Sequence, residues 1–226
     1  MTVSDIANYI KYGEFAQLNI APSLDDNDLA IKEKAERQLL SYINLGLIEI
    51  YKRFDLRTEE AVITLVDAQT IYEFSDAQVG GYLSALPGTF NHVLAAYNEK
   101  GHEYSINDEN DALSILTPSW NTVQVPNPIV GEAVFFIYNA SIDPIQWITD
   151  SATTLAQIIP IPPVLTEALL HYIGYRGHGS TDGSVEAENN THYMRFDASC
   201  QRVKDLGVIT DKGYFQTRSM EERGWV

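Results

Sequence analysis

The hydrophobic period of this chain changes twice, and that change restricts the fold more than any other feature. From about Asp28 to Phe54, apolar residues recur three or four positions apart: Ala35, Leu39, Ile43, Leu47, Ile50 and Phe54. That spacing predicts one amphipathic helix, roughly 40 Å long at about 1.5 Å per residue. Asp25, Asp26 and Asp28 stand before it as cap and dipole partners, and Lys52 and Arg53 fall in its last turn, where cations are favoured. Gly46 inside it either costs about 1 kcal/mol relative to alanine or permits a close helix contact. A short first helix is expected over residues 3–12.

Beyond Phe54 the pattern becomes that of strands. Ala61–Val66 and Thr70–Phe74 are β-rich runs separated by Asp67-Ala68-Gln69, which reads as a hairpin. Phe90–Tyr97 leads to a turn at Asn98-Glu99-Lys100-Gly101 and returns through Glu103–Ile106. Ser114–Leu116, Thr122–Val125 and Ala133–Tyr138 are further strand candidates, punctuated by Pro118, Pro126, Pro128 and Gly131. Short strands at this spacing suggest a small sandwich or barrel. Residues 140–161 read as a connector with little order of its own, apart from a short helix within 152–158.

The helical period then returns. Proline suits the approach to a first helical turn, and Pro160-Ile161-Pro162-Pro163 precedes Val164–Gly174, which is apolar on most sides. A helix of that kind is buried between neighbours. Gly177, Gly179 and Gly183 are expected to end it. Ser184 is the candidate cap of a following helix, with Glu186 and Glu188 in its first turn. On that helix Tyr193, Phe196, Cys200, Val203 and Leu206 share one face, and Gly207 can close it. The two helices make an αα-hairpin.

The expected class is therefore α+β. A helical bundle (the N-terminal long helix plus the C-terminal αα-hairpin) carries an inserted antiparallel β-sandwich or barrel. The expected boundaries are an N-terminal helical part over 1–58, an acidic β-rich insert over 59–150, the C-terminal hairpin over 151–209 and an extended tail over 210–226.

Charge follows the same division. Residues 59–161 hold thirteen acids and one base, Lys100, for a net −12 of the chain's −16. Such a block repels nucleic acid at long range; the plainest account of it is a soluble acidic surface. The single cysteine, Cys200, excludes an intrachain disulfide and fits assembly in a reducing compartment. The start Met1-Thr2-Val3-Ser4-Asp5 lacks the basic and apolar regions of a signal peptide, and no apolar stretch approaches the ~20 residues that span a bilayer. A soluble protein made in a cytoplasm is expected.

No motif points to catalysis. Walker A, strand-led Gly-x-Gly-x-x-Gly, His-Glu-x-x-His and Cys-x-x-Cys patterns are absent from the sequence. Gly177-His178-Gly179-Ser180-Thr181-Asp182-Gly183 resembles a phosphate loop, but it follows a helix rather than a strand. His171, His178 and His192 can meet across the hairpin, yet a zinc site needs three or four ligands in defined geometry. Packing or surface roles are the commoner fate of such histidines. Asp108-Glu109-Asn110-Asp111 lacks the glycine and distal glutamate of a calcium loop and reads as a solvated turn. Nothing selects a glycosidase pair from the acids. No cofactor and no metal is implied, and Cys200, on an apolar stripe, reads as an inert core thiol. The tail is different. Tyr214, Phe215 and Trp225 stand among charges with too little sequence around them to be buried locally, and such side chains act as anchors in another subunit's pocket. The plainer alternative is a disordered chain end.

Four stretches carry a resemblance. They are the Val3-Ser4-Asp5-Ile6 start; Val62-Ile63-Thr64-Leu65-Val66 with Gln69-Thr70-Ile71-Tyr72-Glu73-Phe74; Val93–Tyr97 with Gly101–Asp108 through the strand ending at Tyr138; and Ile161–Arg176. In this order they resemble the head-to-tail adaptor (connector) proteins of tailed bacteriophages, which dock beneath the portal ring. The glycine-rich stretch from Gly174 to Gly183 departs from that pattern. The resemblance implies a structural virion protein of the neck or tail rather than an enzyme. It implies a ring homo-oligomer, usually of twelve copies, between the portal protein and a tail or nozzle protein, with double-stranded DNA passing non-specifically through the centre and no membrane involved. Assembly would take place in the bacterial host cytoplasm. Under it, Tyr214, Phe215, Arg218 and Trp225 would contact the portal or a neighbouring subunit. Leu165, Leu169, Tyr172, Phe196 and Val203 would form the helical core of the ring, and Asp108, Glu109 and Asp111 are possible channel-facing acids. Other readings are a tail nozzle, tail-tube or head-completion subunit, and a carbohydrate- or surface-binding β module; a glycan-cleaving enzyme ranks last.

Overall fold

A computed structural model describes residues 1–13, 15–16, 18, 20–74, 90–148, 150–182 and 191–209, with residues 179–182 as backbone only. Among these residues the protein is α+β, with six helices and two antiparallel sheets. The described chain divides into two compact units. Residues 1–54 and 143–209 form a helical unit, and residues 55–142 form a β unit.

In the helical unit, α1 (Val3–Tyr12) starts on a reciprocal cap. Thr2 Oγ1 accepts from the Asp5 N–H, and Asp5 Oδ2 accepts from the Thr2 N–H at 2.7 Å. The brief α2 (Ile20–Ser23) leads to α3 (Leu29–Arg53), where Asp28 is the cap: its Oδ1 accepts from the Ala30 N–H at 2.9 Å. The face of α3 foreseen from its period is the buried one, with Leu39, Ile43, Leu47 and Ile50 fully enclosed. After the β unit come α4 (Ser151–Leu155), a single 3₁₀ turn at Pro163–Leu165, α5 (Thr166–Asp182) and α6 (Thr191–Asp205). Helix α5 packs on both α3 and α6.

One expectation fails in this unit, and the connector, irregular over 141–148 with α4 as its short helix, gains ties that its sequence did not announce. Gly177 and Gly179 do not end α5, which runs through both to Asp182; Gly183 lies outside the described residues. At positions 174 and 177 neighbours fill the space a side chain would take. A Cβ at Gly174 would lie 2.9 Å from the Phe15 ring, and one at Gly177 would lie 3.0 Å from Leu18. The connector is also well fastened. Asn44 exchanges two hydrogen bonds with the Ile145 backbone, at 3.0 and 2.9 Å, and Ser151 Oγ donates to the buried Glu36 at 2.8 Å. Tyr51 donates to the Pro160 carbonyl at 2.6 Å, and the backbone of Met1–Val3 bonds to residues 157–159. Residues 183–190, including Ser184, Glu186 and Glu188, lie outside the described residues. Helix α6 buries Phe196, Cys200 and Val203, whereas Leu206 lies past its end and is exposed; Gly207, at φ +61°, closes it.

The β unit contains a four-stranded sheet in the order β1-β7-β3-β4 and a three-stranded sheet in the order β2-β6-β5. The strands are β1 (Thr58–Thr64), β2 (Ile71–Glu73), β3 (Phe90–Asn98), β4 (Glu103–Tyr104), β5 (Leu116–Ser119), β6 (Thr122–Gln124) and β7 (Ala133–Ala140). The β3–β4 hairpin forms where the sequence places it, with Ala96 opposite Tyr104. The expected hairpin between residues 61–66 and 70–74 does not. β1 pairs with β7, Ala61 opposite Phe136, and β2 pairs with β6, Tyr72 opposite Val123. The turn between them sends the chain from one sheet to the other, with Ala68 at φ +59° and the Tyr72 hydroxyl donating to the Gln69 carbonyl at 2.8 Å. The alternating apolar residues of both strands, Ala61, Ile63 and Leu65 with Tyr72 and Phe74, enter one core cluster with Val123, Phe136 and Tyr138. A period of two fixes the buried face of a strand, not the strand it bonds to.

Candidate functional site

The apolar residues that the sequence placed in a helical core come together in the helical unit. Leu165, Leu169, Phe196 and Val203 are buried in it and Tyr172 is half-buried, with its ring edge-on to Phe196 at 5.2 Å. α3 reaches this cluster through Gly46, where a Cβ would lie 2.6 Å from Leu169 Cδ1 and 3.1 Å from Tyr172 Cδ1. Thus a glycine in α3 sets how closely α5 approaches.

Arg53, at the end of α3, fastens α6 to the same place. Its guanidinium lies 4.6 Å from the centre of the Phe196 ring, donates to Asp197 at 2.5 Å and to the Tyr193 hydroxyl at 3.2 Å, and pairs with Glu49 at 3.4 Å. Burial works against the charge of Arg53, but the Asp197 carboxylate outweighs it with the help of neighbouring groups and holds the guanidinium above its ordinary pKa. Cys200 lies in this neighbourhood, and burial pushes its thiol up to about 11. A thiol so placed is a poor nucleophile near neutrality.

The three histidines do meet. His178 stacks on His192 with ring centres 4.9 Å apart, His171 lies 6.1 Å from His192, and Phe15 touches both His171 and His192 at 5.6 Å. The His171 ring also faces Glu167 at 3.8 Å. Among the described residues, no three His, Cys, Asp or Glu side chains are grouped to hold a metal ion. These rings act as packing surface for the segment between α1 and α2.

An open groove on the helical unit is lined by Met1, Asp5, Tyr9, Tyr12, Pro163 and Thr166, among others. Tyr9 and Tyr12 are 51% and 76% exposed, so aromatic surface is left to solvent there. Sequence reading missed both. The available signal was two aromatics three residues apart, which share a helix face, on a helix whose buried residues are Val3, Ile6, Ala7 and Ile10.

In the β unit the acids of the 108–111 turn are engaged locally. Asp111 accepts from the Leu113 N–H at 2.9 Å and the Ser105 hydroxyl at 2.7 Å, and these bonds lower its carboxyl pKa, the backbone bond most. Asp108 accepts from the Asn110 N–H at 2.9 Å, and both Asp108 and Glu109 are exposed. Elsewhere in the unit, the buried Tyr138 hydroxyl donates to Glu59 at 2.8 Å; burial above all, then that bond, raises its pKa. Tyr214, Phe215, Arg218 and Trp225 lie outside the described residues.

A family model described as SU10 adaptor protein matches residues 10–218, most of the chain and both of its units. No curated protein matches it. The chain therefore belongs to the SU10 adaptor protein family, a family of phage head-to-tail adaptors.

Proposed function

We propose that the chain is a structural subunit of a phage neck, whose copies close into a ring between portal and tail through which double-stranded DNA passes. The family match over residues 10–218 carries this reading. Membership of an adaptor family supports a structural role in the virion neck and association with portal and tail proteins. The finer points are our own. The helices act as the ring-forming bundle, with Leu165, Leu169, Tyr172, Phe196 and Val203 as its core, and copies number the family's usual twelve. The two sheets act as an inserted sandwich. Exposed Tyr9 and Tyr12 supply aromatic surface suited to a neighbouring copy. Tyr214, Phe215, Arg218 and Trp225 anchor the subunit to the portal.

The work done is assembly rather than chemistry, and it draws on no cofactor. Subunits assemble in the host cytoplasm and end in the virion. In the ring, Asp108, Glu109 and Asp111 face the channel, where carboxylates keep a polyanion from adhering during passage. Deleting residues 211–226 tests the anchor. The shortened chain is expected to keep its thermal transition and lose portal binding; unchanged portal binding would rule the anchor out.

A further inference from the structure

Three loops meet at one end of the four-stranded sheet, and together they make a surface of defined character. The register puts Thr64, Asn98 and Ala133 at this end, while Arg57 and Ala140, joined by a backbone bond at 2.9 Å, lie at the other. Residues 65–70, 98–102 and 126–132 are laced together there. Leu65 N–H donates to the Glu132 carbonyl at 2.8 Å, Gly131 N–H to the Leu65 carbonyl at 3.0 Å, and Val125 N–H to the Thr70 carbonyl at 2.8 Å. Ala133 N–H donates to the Glu99 carboxylate at 2.8 Å. Three residues in these loops hold positive φ values that favour glycine, Gly101 at +78°, Gly131 at +86° and the non-glycine Ala68 at +59°. A costly conformation such as that of Ala68 persists only where its surroundings over-determine it. The loops are thus a built surface.

That surface is apolar in the middle and acidic around it. Val66, Ile129 and Val130 are 52%, 60% and 61% exposed. Asp67, Glu99, Glu103 and Glu132 belong to the same end, against one ammonium, Lys100. Single exposed aliphatics are ordinary on a protein, but adjacent ones rimmed by polar groups mark an interaction site. The charge decides what can sit there. Nucleic acid is repelled. A second copy meeting it through the same surface is repelled too, because residues 55–142 hold twelve acids and two bases.

We infer that this loop end docks a tail-side protein whose contact surface is cationic and carries an apolar anchor that fits over Val66, Ile129 and Val130. The inference rests on the adaptor reading, in which the head side is already taken by the C-terminal segment. Apolar burial supplies the hold, and the carboxylate rim supplies orientation and the rate of encounter.

The test uses the full chain, its portal protein and tails freed of heads, with binding measured to each. One variant replaces Val66, Ile129 and Val130 with serine; another carries Asp67→Lys and Glu103→Lys. All these side chains are exposed at least in large part, and thermal melting checks that each variant keeps its fold. The serine variant is expected to bind tails about tenfold or more weakly, a loss of the size that removal of a few buried anchors produces, and to bind the portal as the wild type does. The charge variant is expected to bind tails more weakly at low salt, with the difference shrinking as salt rises. Wild-type affinity of the serine variant for tails would overturn the proposal, as would a loss confined to the portal. A wild-type chain that binds the portal but not tails would overturn it as well, and would leave the portal side of the adaptor reading standing.

Discussion

Gly46 is where the sequence and the structure make opposite forecasts for one substitution. Judged as a residue in the middle of α3, replacing it with alanine should stabilise the protein by about 1 kcal/mol, the difference in helix propensity. Judged by its surroundings, the same change should destabilise. The new Cβ would lie 2.6 Å from Leu169 Cδ1 and 3.1 Å from the Tyr172 ring, and Leu169 is fully buried, so it cannot retreat without moving its neighbours. Overpacking of this kind costs about 1–3 kcal/mol. The overlap is severe enough to place Gly46→Ala in the upper part of that range, for a net loss of roughly 1–2 kcal/mol after the propensity gain. At about 2–4 °C per kcal/mol for a chain of this size, the midpoint should fall by several degrees. Thermal unfolding followed by circular dichroism measures it. The decisive comparison is made in a Leu169→Ala background. There the obstructing methyl is gone, and Gly46→Ala should become stabilising by up to about 1 kcal/mol. A higher midpoint for Gly46→Ala alone, or the same shift in both backgrounds, would refute the claim that Gly46 sets the approach of α3 to α5.

Three further outcomes are expected. In double-mutant cycles, Arg53 should couple to Phe196 by about 0.5–2 kcal/mol, since that ring is buried; its coupling to Asp197 should stay under about 1 kcal/mol, because that carboxylate is 62% exposed. The reverse ranking would contradict the packing account of Arg53. Cys200, buried and with its thiol pushed up to about 11, should react with a thiol-specific reagent at pH 8 only as the protein unfolds, and prompt labelling of the folded chain would contradict this. Asp111 has a folded pKa below its unfolded one, so the stability it contributes is present above the ordinary aspartate pKa and is lost as pH falls through the folded value; a carboxyl-carbon NMR titration should find Asp111 titrating below the ordinary aspartate range, and Asp111→Asn should remove that contribution to acid sensitivity.

The parts of this fold that depend on neighbours in sequence were legible, and those that depend on distant partners were not. The cap at Asp28, the buried face of α3 and the β3–β4 hairpin follow from spacing and turn chemistry within a few residues. The exchange of partners between β1 and β2 does not, because alternation reports a buried face and is silent on the bonded edge. Gly177 read as a helix breaker because the residue it packs on, Leu18, comes from the far end of the chain. The ties of the connector escaped notice for the same reason, since Asn44 and Ile145 are 101 positions apart. Of the candidate site residues, Leu165, Leu169, Phe196 and Val203 are buried and Tyr172 is half-buried, whereas Leu206 of the foreseen α6 face is exposed. The spacing of Tyr9 and Tyr12 on one helix face was a signal that went unread, whereas no local pattern pointed to the aliphatics brought together by three separate loops.

The central claim is that this member of an adaptor family works as a ring between head and tail. The most direct measurement is the mass of the complex formed when the purified chain is mixed with its portal protein, followed by electron microscopy of that complex. The account predicts many copies of the chain per portal, arranged as a closed ring with an open centre. A chain that remains a monomer or small oligomer and leaves the portal mass unchanged would contradict it.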